Sequence, residues 1–357
     1  MIVKDEAAVI ERCLSAVVPY IDAWLIVDTG STDDTRARIE RFMEGAGKPG
    51  EVVRRPWVDF GTNRSEALAL SRSWANFSLV IDADEVFEAS AGFSWPSLEG
   101  DAYQILHAQS GSDTRFYLTQ LLRNSLPFRY QGVLHEVVVC DAPHRLEKIE
   151  GALITGFFDS ARNQDGPAQK YAKDAQILER SLENDPDNAR YAFYLAQSYR
   201  DAGQREKAAD AYEKRSHING FEEEAWYAEL MRARLLEKLG RWEPALAAYL
   251  AAYERRPSRA ETLCDLSRLH REKGQHHLAH LFANAAIQLE MPGDILFVEQ
   301  DAYRWRAQDE LAVSDYYLGR YAESLAASEK LLGSGDLPAS ERVRVQRNLE
   351  FARSRLS

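Results

Sequence analysis

Two acidic clusters carry the residue types best suited to chemistry in this chain: Asp28-Thr29-Gly30-Ser31-Thr32-Asp33 and Asp82-Ala83-Asp84-Glu85. Asp82 and Asp84 alternate along an extended chain, so both carboxylates point to one side and are able to share a hard divalent cation. Each cluster follows a short apolar run, Trp24-Leu25-Ile26-Val27 and Phe77-Ser78-Leu79-Val80-Ile81. Runs of that length read as buried strands of an α/β sheet, where ligands collect beyond the carboxyl ends. Carboxylates at two neighbouring strand ends suit a metal and a nucleotide.

The elements that would position these groups alternate in type up to about residue 160. Ile2-Val3 ends a first strand, and Ile10, Cys13, Leu14 and Val17 recur at helical spacing before Pro19. Ser31 or Thr32 is expected to cap a helix whose apolar face is Ile39, Phe42 and Met43. After a strand around Val52 and Val53, Asn63 with Glu66 resembles a capping pair opening a helix through Ala67, Leu70 and Trp74. This is a βαβαβα opening. From Asp101 onward, Tyr103 to Leu106, Thr114 to Leu122, Val133 to Cys140 and Ala152 to Phe157 are candidate strands.

Residues 161–169, with Asn163, Gly166 and Pro167, read as a linker between a domain of residues 1–160 and a helical one of residues 170–357. The helical part repeats: Gly203, Gly240, Gly274 and Gly319 are separated by 37, 34 and 45 residues, near the ~34-residue period of tetratricopeptide repeats. After Gly240 come Ala245, Tyr249, Ala252 and Pro257, the small and aromatic positions where paired helices touch and the proline that ends the second. Gly203 repeats the series with Ala208 and Tyr212, and Gly274 with Ala279, Ala283 and Ala286, while Gly319 fits loosely. Repeats of this kind bury their faces only by stacking, so an all-α solenoid is expected, with a groove for an extended partner or a role in bracing or dimerising the first domain.

Bulk composition narrows the function classes. With 357 residues, 45% of them apolar, the chain has material for two cores. A net charge of −12 with scattered Lys and Arg argues against nucleic acid or an anionic membrane as partner. Cys13, Cys140 and Cys264 lack CxxC spacing, which suggests neither disulfides nor a zinc site. No stretch is apolar enough to span a bilayer, and Met1-Ile2-Val3-Lys4-Asp5-Glu6 reaches charge at once, so a cytoplasmic address is expected.

Met1-Ile2-Val3-Lys4-Asp5-Glu6, Val27-Asp28-Thr29-Gly30-Ser31-Thr32-Asp33 and Asp82-Ala83-Asp84-Glu85, in that order and spacing, resemble the catalytic domain of glycosyltransferase family 2, which has the Rossmann-like α/β GT-A fold. The resemblance covers about residues 1–160. With the repeats that follow, the whole chain is similar to bacterial family 2 enzymes with tetratricopeptide tails, a group that includes the peptide S-glycosyltransferases of the glycocin type. It implies inverting transfer of one sugar from a UDP-sugar to a peptide, protein or glycan acceptor, assisted by Mn2+ or Mg2+.

By resemblance, Asp28 accepts the uracil N3 hydrogen and Gly30 lets the backbone come close. Asp82 faces the ribose and shares the metal with Asp84, the firmer ligand. Arg64 occupies the place of an Arg-Asn pair and would reach the diphosphate or sugar, though its order with Asn63 is reversed. In Gly132-Val133-Leu134-His135-Glu136, His135 is the candidate metal or phosphate contact and Glu136 the candidate base. Neighbouring strand residues face opposite ways, so both serve only if the strand bends or ends there. Gln300-Asp301-Ala302-Tyr303-Arg304-Trp305 resembles the QxxRW motif of processive synthases with one residue too many, and Tyr303 and Trp305 read as helix packing. Asp5 stands where the family more usually has Asn. Two other readings remain: a GT-A and repeat scaffold without activity, and a transferase acting on cell-surface glycan precursors.

Overall fold

The computed structural model describes residues 1–112, 115–164 and 166–356. By compactness the chain divides into two units, Met1–Ser181 and Leu182–Ser357.

In the first unit, β1 (Ile2–Val3), β2 (Trp24–Asp28) and β3 (Gly50–Arg54) form a parallel sheet in the order β1-β2-β3, with Ile2 opposite Val27 and Trp24 opposite Gly50. Its crossovers run through α1 (Ile10–Val17) and α2 (Thr35–Ala46), since parallel neighbours cannot be joined by a tight hairpin. Ile10, Leu14, Ile26, Ile39 and Met43 pack together in a core between these elements, as their helical spacing requires. The next helix, α3 (Phe60–Ser71), leads to a mixed five-stranded sheet. That sheet is built from β4 (Phe77–Leu79), β5 (Glu85–Ala89), β6 (Ala102–Gln109), β7 (Arg115–Arg123) and β10 (Leu146–Gly156), in the order β4-β7-β6-β10-β5. A separate antiparallel ribbon pairs β8 (Arg129–Gln131) with β9 (Val137–Val139). The α/β amino-terminal domain is therefore a parallel opening followed by a mixed sheet.

Local details depart from the sequence expectations for identifiable reasons. The N-cap of α2 is Asp34, because the Ser31 and Thr32 groups are engaged elsewhere: Ser31 Oγ accepts from Asp5 N, and Thr32 N donates to Asp5 Oδ1. The cap of α3 is Asp59, whose carboxylate accepts from Thr62 N. Asn63 lies inside the helix, buried, accepting from Val58 N and donating to Pro56 O, while Glu66 pairs with Arg55. The expected strand from Val133 to Cys140 is interrupted, since residues 132–136 form a loop between β8 and β9. Thr114 lies outside the described residues, as does residue 165 of the expected linker. Around it the chain makes a short 3-10 turn, Ala161–Asn163, and enters α4 (Pro167–Asn184), within which the compact units divide.

The second unit consists of consecutive helices, each packed on the next: α5 (Ala189–Asp201), α6 (Arg205–His217), α7 (Glu222–Lys238), α8 (Trp242–Arg255), α9 (Ala260–Glu272), α10 (His276–Ala286), α11 (Ala307–Tyr317), α12 (Tyr321–Gly333) and α13 (Ala339–Ser354). Gly203, Gly240, Gly274 and Gly319 close α5, α7, α9 and α11 with left-handed φ between 72° and 77°. At each one the following amide bonds back five residues: Gln204 to Tyr199 O, Arg241 to Leu236 O, Gln275 to His270 O and Arg320 to Asp315 O. This is the Schellman ending, which favours glycine because a Cβ is strained at that φ. Five and nine residues on, Ala208 and Tyr212, Ala245 and Tyr249, and Ala279 and Ala283 are fully buried, and the fourth repeat puts Ser324 and Ser328 in the same places. The loose fit of Gly319 is thus one of residue type, not of geometry.

Candidate functional site

The loops after β1 and β2 are stitched together. Asp5, itself at a left-handed φ of 56°, donates its amide to Ser31 Oγ, while Glu6 N donates to Thr35 Oγ1 and Ala7 N to Asp33 Oδ2. Asp28 is buried, and its Oδ1 accepts from Gly30 N and Ser31 N at 3.2 and 2.8 Å. That is an Asx turn organising the loop. Its Oδ2 lies 4.0 Å from Arg36 Nε. Gly30 has φ +112° with open space where a Cβ would stand, so the requirement for glycine there is conformational.

The second cluster sits beyond the end of β4. Arg64, one turn into α3, donates from Nη2 to Asp82 Oδ2 at 2.7 Å, and its Nε lies 2.6 Å from Glu136 Oε1. One guanidinium thereby bridges the β4 end and the 132–136 loop. Two features aim it. Phe60 N and Gly61 N donate to the carbonyls of Val133 and Gly132, and Gly61 is so close that a Cβ there would lie 2.4 Å from Gly132 O. Ser65 Oγ also exchanges hydrogen bonds with the backbone of Tyr130. The strand ends before His135, which has φ +52° and is exposed, whereas Glu136 is half-buried. The 132–136 loop releases these two residues from strand alternation.

The electrostatics of the cluster follow from burial and crowding. Desolvation raises the Asp82 carboxyl, but Arg64 outweighs it and holds the group below the usual carboxylate range. Asp84 is pushed up by burial and by Asp82, against a hydrogen bond from Ser160. Glu85, whose Oε2 accepts from Asp82 N, is raised to about 8 by burial and by Asp82. Glu6 reaches about 7 through burial, with Asp84, Asp82 and Asp33 adding to the rise, so it senses both acidic loops. His107, 3.8 Å from Glu85, is lowered by burial.

Glu6, Glu85, His107 and Tyr130 are site neighbours that motif reading passed over. Glu6 and Glu85 had a signal, each as the last residue of its motif. Among the described residues no group of three or more His, Cys, Asp or Glu side chains is arranged to hold a metal ion. Asp82, Asp84 and His135 therefore do not form a preassembled triad: Asp82 is taken by Arg64 and His135 is exposed. A cavity of about 400 Å³ lies next to the site, walled by Leu14, Leu25, Leu68, Leu121 and Arg64. Its lining is mostly apolar and includes none of Asp28, Asp82, Asp84 or Glu136. The acidic cluster and the apolar cavity share Arg64 alone among the groups expected to act.

Residues 1–91 match the family model described as Glycosyl transferase family 2. The amino-terminal unit thus carries a family 2 glycosyltransferase domain, which supports a glycosyl-transfer role, and tetratricopeptide-type repeats follow. Among individual proteins, the chain is similar to a TPR repeat-containing protein of Synechococcus elongatus, with 29% identity over 312 residues, covering 80% of this chain and 74% of the relative. It is also similar to an uncharacterized glycosyltransferase of Rickettsia felis, with 38% identity over 85 residues, 24% of this chain and 27% of the relative. Solved structures that overlap it include BtubC from P. vanneervenii (15% identity, 56% of this chain and 85% of that one, TM-score 0.43). Another is a tetratricopeptide repeat protein from Parabacteroides merdae (17% identity, 53% and 72%, TM-score 0.39). Scores this low do not bear on the fold, and the repeat assignment rests on the four matching turns.

The remaining sequence features fall into packing roles. Tyr303 accepts from Ala260 N and donates to Glu261, and Trp305 packs beside Leu331 and Val345, as a helix-packing role requires. His280 Nδ1 lies 3.0 Å from Asp315 Oδ1 of the next helix pair. All three cysteines are free, and among the described residues no helix is long and apolar enough to cross a membrane.

Proposed function

We propose that the amino-terminal unit transfers a single sugar, with inversion, from a UDP-sugar to a peptide, protein or glycan acceptor, and that the repeat unit engages the acceptor or a partner. The observation that carries this reading is the Arg64 bridge between Asp82 and Glu136. A guanidinium fork matches a diphosphate as well as it matches carboxylates, so an incoming donor exchanges with the two acids for Arg64. Asp28 and Gly30 take the uracil end. Asp82, released from Arg64, is free to face the ribose. Glu136, freed in the same exchange, becomes available to accept the acceptor's proton.

The donor set suits Mg2+ or Mn2+ in type, since Asp84 and Asp82 offer hard oxygens and Asp84 is raised by burial and by the Asp82 charge beside it. Asp84, with Asp82 and with His135 as a further candidate, would hold the ion, which supplies Lewis acidity toward the departing diphosphate.

Incubation with a panel of UDP-sugars and Mn2+ is expected to release UDP, and Asp84→Ala is expected to abolish release. Unchanged turnover in that variant defeats the metal assignment. The scaffold reading draws on the fact that Asp82 is already satisfied by Arg64. Calorimetry separates the two readings: absence of UDP affinity with either cation would favour the scaffold.

A further inference from the structure

The interval between Gly274 and Gly319 is the longest of the three, and its extra residues form a segment between α10 and α11 that has no regular structure from 289 to 299. That segment lies extended across the first helices of successive repeats. Its exposure alternates residue by residue from Met291 to Val298, as in a single strand laid on a surface.

Side chains of the repeats hold its backbone. Glu223 Oε2 accepts from Ile295 N and Leu296 N at 3.1 and 2.7 Å, and Glu261 Oε1 accepts from Glu299 N at 3.0 Å. Arg259 donates to Leu296 O and Phe297 O at 3.3 and 2.8 Å. Three side chains fix the register. Asp294 pairs with Arg256 and Arg259, Glu299 pairs with Arg234 through both oxygens, and Phe297 stacks on Tyr227 at 3.9 Å between centroids with Phe193 nearby.

Two observations mark the segment as removable. Phe297 is held at φ +55°, a left-handed conformation that is strained for an aromatic residue, and Ile295 is 80% exposed. Moreover, most of the clamp keeps its partners without the segment. Arg259 retains Glu261 and the Trp226 ring 3.6 Å away, Arg234 retains Asp265, and Glu261 retains Tyr303. Departure of the segment therefore leaves Arg259, Arg234 and Glu261 compensated, while Arg256, 25% exposed, exchanges Asp294 for water, so the usual obstacle to opening such a network is small.

We propose that Asp294–Glu299 is an internal ligand occupying a peptide-binding groove on the repeat unit, and that an extended partner peptide with an acidic residue, an aromatic three positions on and a second acid two further competes for it. The backbone clamps serve any extended chain, and the Asp-x-x-Phe-x-Glu spacing selects it. This rests on reading the repeat unit as partner-binding and is independent of the transfer chemistry, so it is tested without nucleotide sugar.

The probe is a labelled, end-blocked peptide copying residues 293–299, titrated by fluorescence anisotropy into the full chain. Phe297→Ala, which removes the ring that stacks on Tyr227 and keeps the left-handed strain, is expected to bind it about tenfold tighter than the unaltered chain. Adding Glu223→Gln should reverse that gain. Equal affinity of the two chains, no binding to either, or equal binding of a scrambled peptide overturns the proposal. Hydrogen exchange of the unaltered protein provides a second arm that needs no variant to fold. The amides of Ile295, Leu296 and Glu299 should exchange about a hundredfold faster than those inside α9, and exchange only at the α9 rate would show the segment to be a fixed part of the fold.

Discussion

Arg64 is the residue on which the candidate site turns, because it is the cation shared by two carboxylates whose own backbones belong to different elements. Its side chain and that of Glu136 are each 13% exposed, while Asp82 is 37% exposed. Removing the guanidinium strands two acids of like charge. Arg64→Gln is expected to lower stability by roughly 2–4 kcal/mol, below the full cost of breaking a wholly buried pair because Asp82 keeps some water. Urea unfolding checks it, and Arg64→Gln combined with Glu136→Gln should recover part of the loss, since removing both partners is cheaper than orphaning one. If the single variant is as stable as the parent, the bridge is not holding the loop. The motif residues could be named from sequence because each follows an apolar strand. The bridge could not, since Asp82 and Glu136 lie far from Arg64 in the chain and only the fold brings them together. Asp28 shows the complementary difficulty: its acid type and position suggest a ligand contact, yet in this structure one oxygen organises its own turn.

At the scale of elements, two glycines separate conformational from steric demand. Gly240 closes α7 at φ +72° with nothing within 4 Å of a notional Cβ, so Gly240→Ala should cost only backbone strain, about 1 kcal/mol, read as a small drop in Tm. Gly61 abuts the Gly132 carbonyl, so Gly61→Ala must push α3 from the 132–136 loop. It is expected to lower Tm further and to impair UDP release even where the chain folds; parity with Gly240→Ala would sink that account. Glu299 adds a pH dependence. Burial raises its carboxyl, but Arg234 and Arg306 outweigh that and hold it at about 2, with Asp265 and Asp301 sharing those arginines. A depressed carboxyl contributes stability that is complete above its ordinary value and is lost as pH falls toward 2. Acid unfolding followed by helical circular dichroism should therefore be less steep between those limits in Glu299→Gln, and an identical profile would rule the linkage out. Helix existence and repeat phase were legible because glycine, alanine and tyrosine recur for packing reasons. The helix caps and the break after β8 were not, because Ser31 and Thr32 are taken by Asp5 of the loop after β1, and Phe60 and Gly61 bond the carbonyls of Val133 and Gly132.

For the whole molecule, the two compact units place different demands on one experiment. A nucleotide that binds only the folded state stabilises what it touches by mass action, about 2.7 kcal/mol at roughly a hundred times its Kd. The acidic loops that would receive it all lie in Met1–Ser181, while Leu182–Ser357 contributes the stacked helices. Hydrogen exchange of the full chain with UDP and Mn2+ should accordingly slow the amides of residues 28–33, 82–85 and 132–136 and leave those of α5 to α13 unchanged. The peptide copying residues 293–299 should give the inverse map in Phe297→Ala, with protection confined to α5, α7 and α9. Asp84→Ala should erase the first pattern and preserve the second, because the carboxylates and the peptide clamp share no residue. Protection by UDP restricted to the helical unit would remove the basis for a donor site at Asp28 and Asp82, whatever turnover is measured.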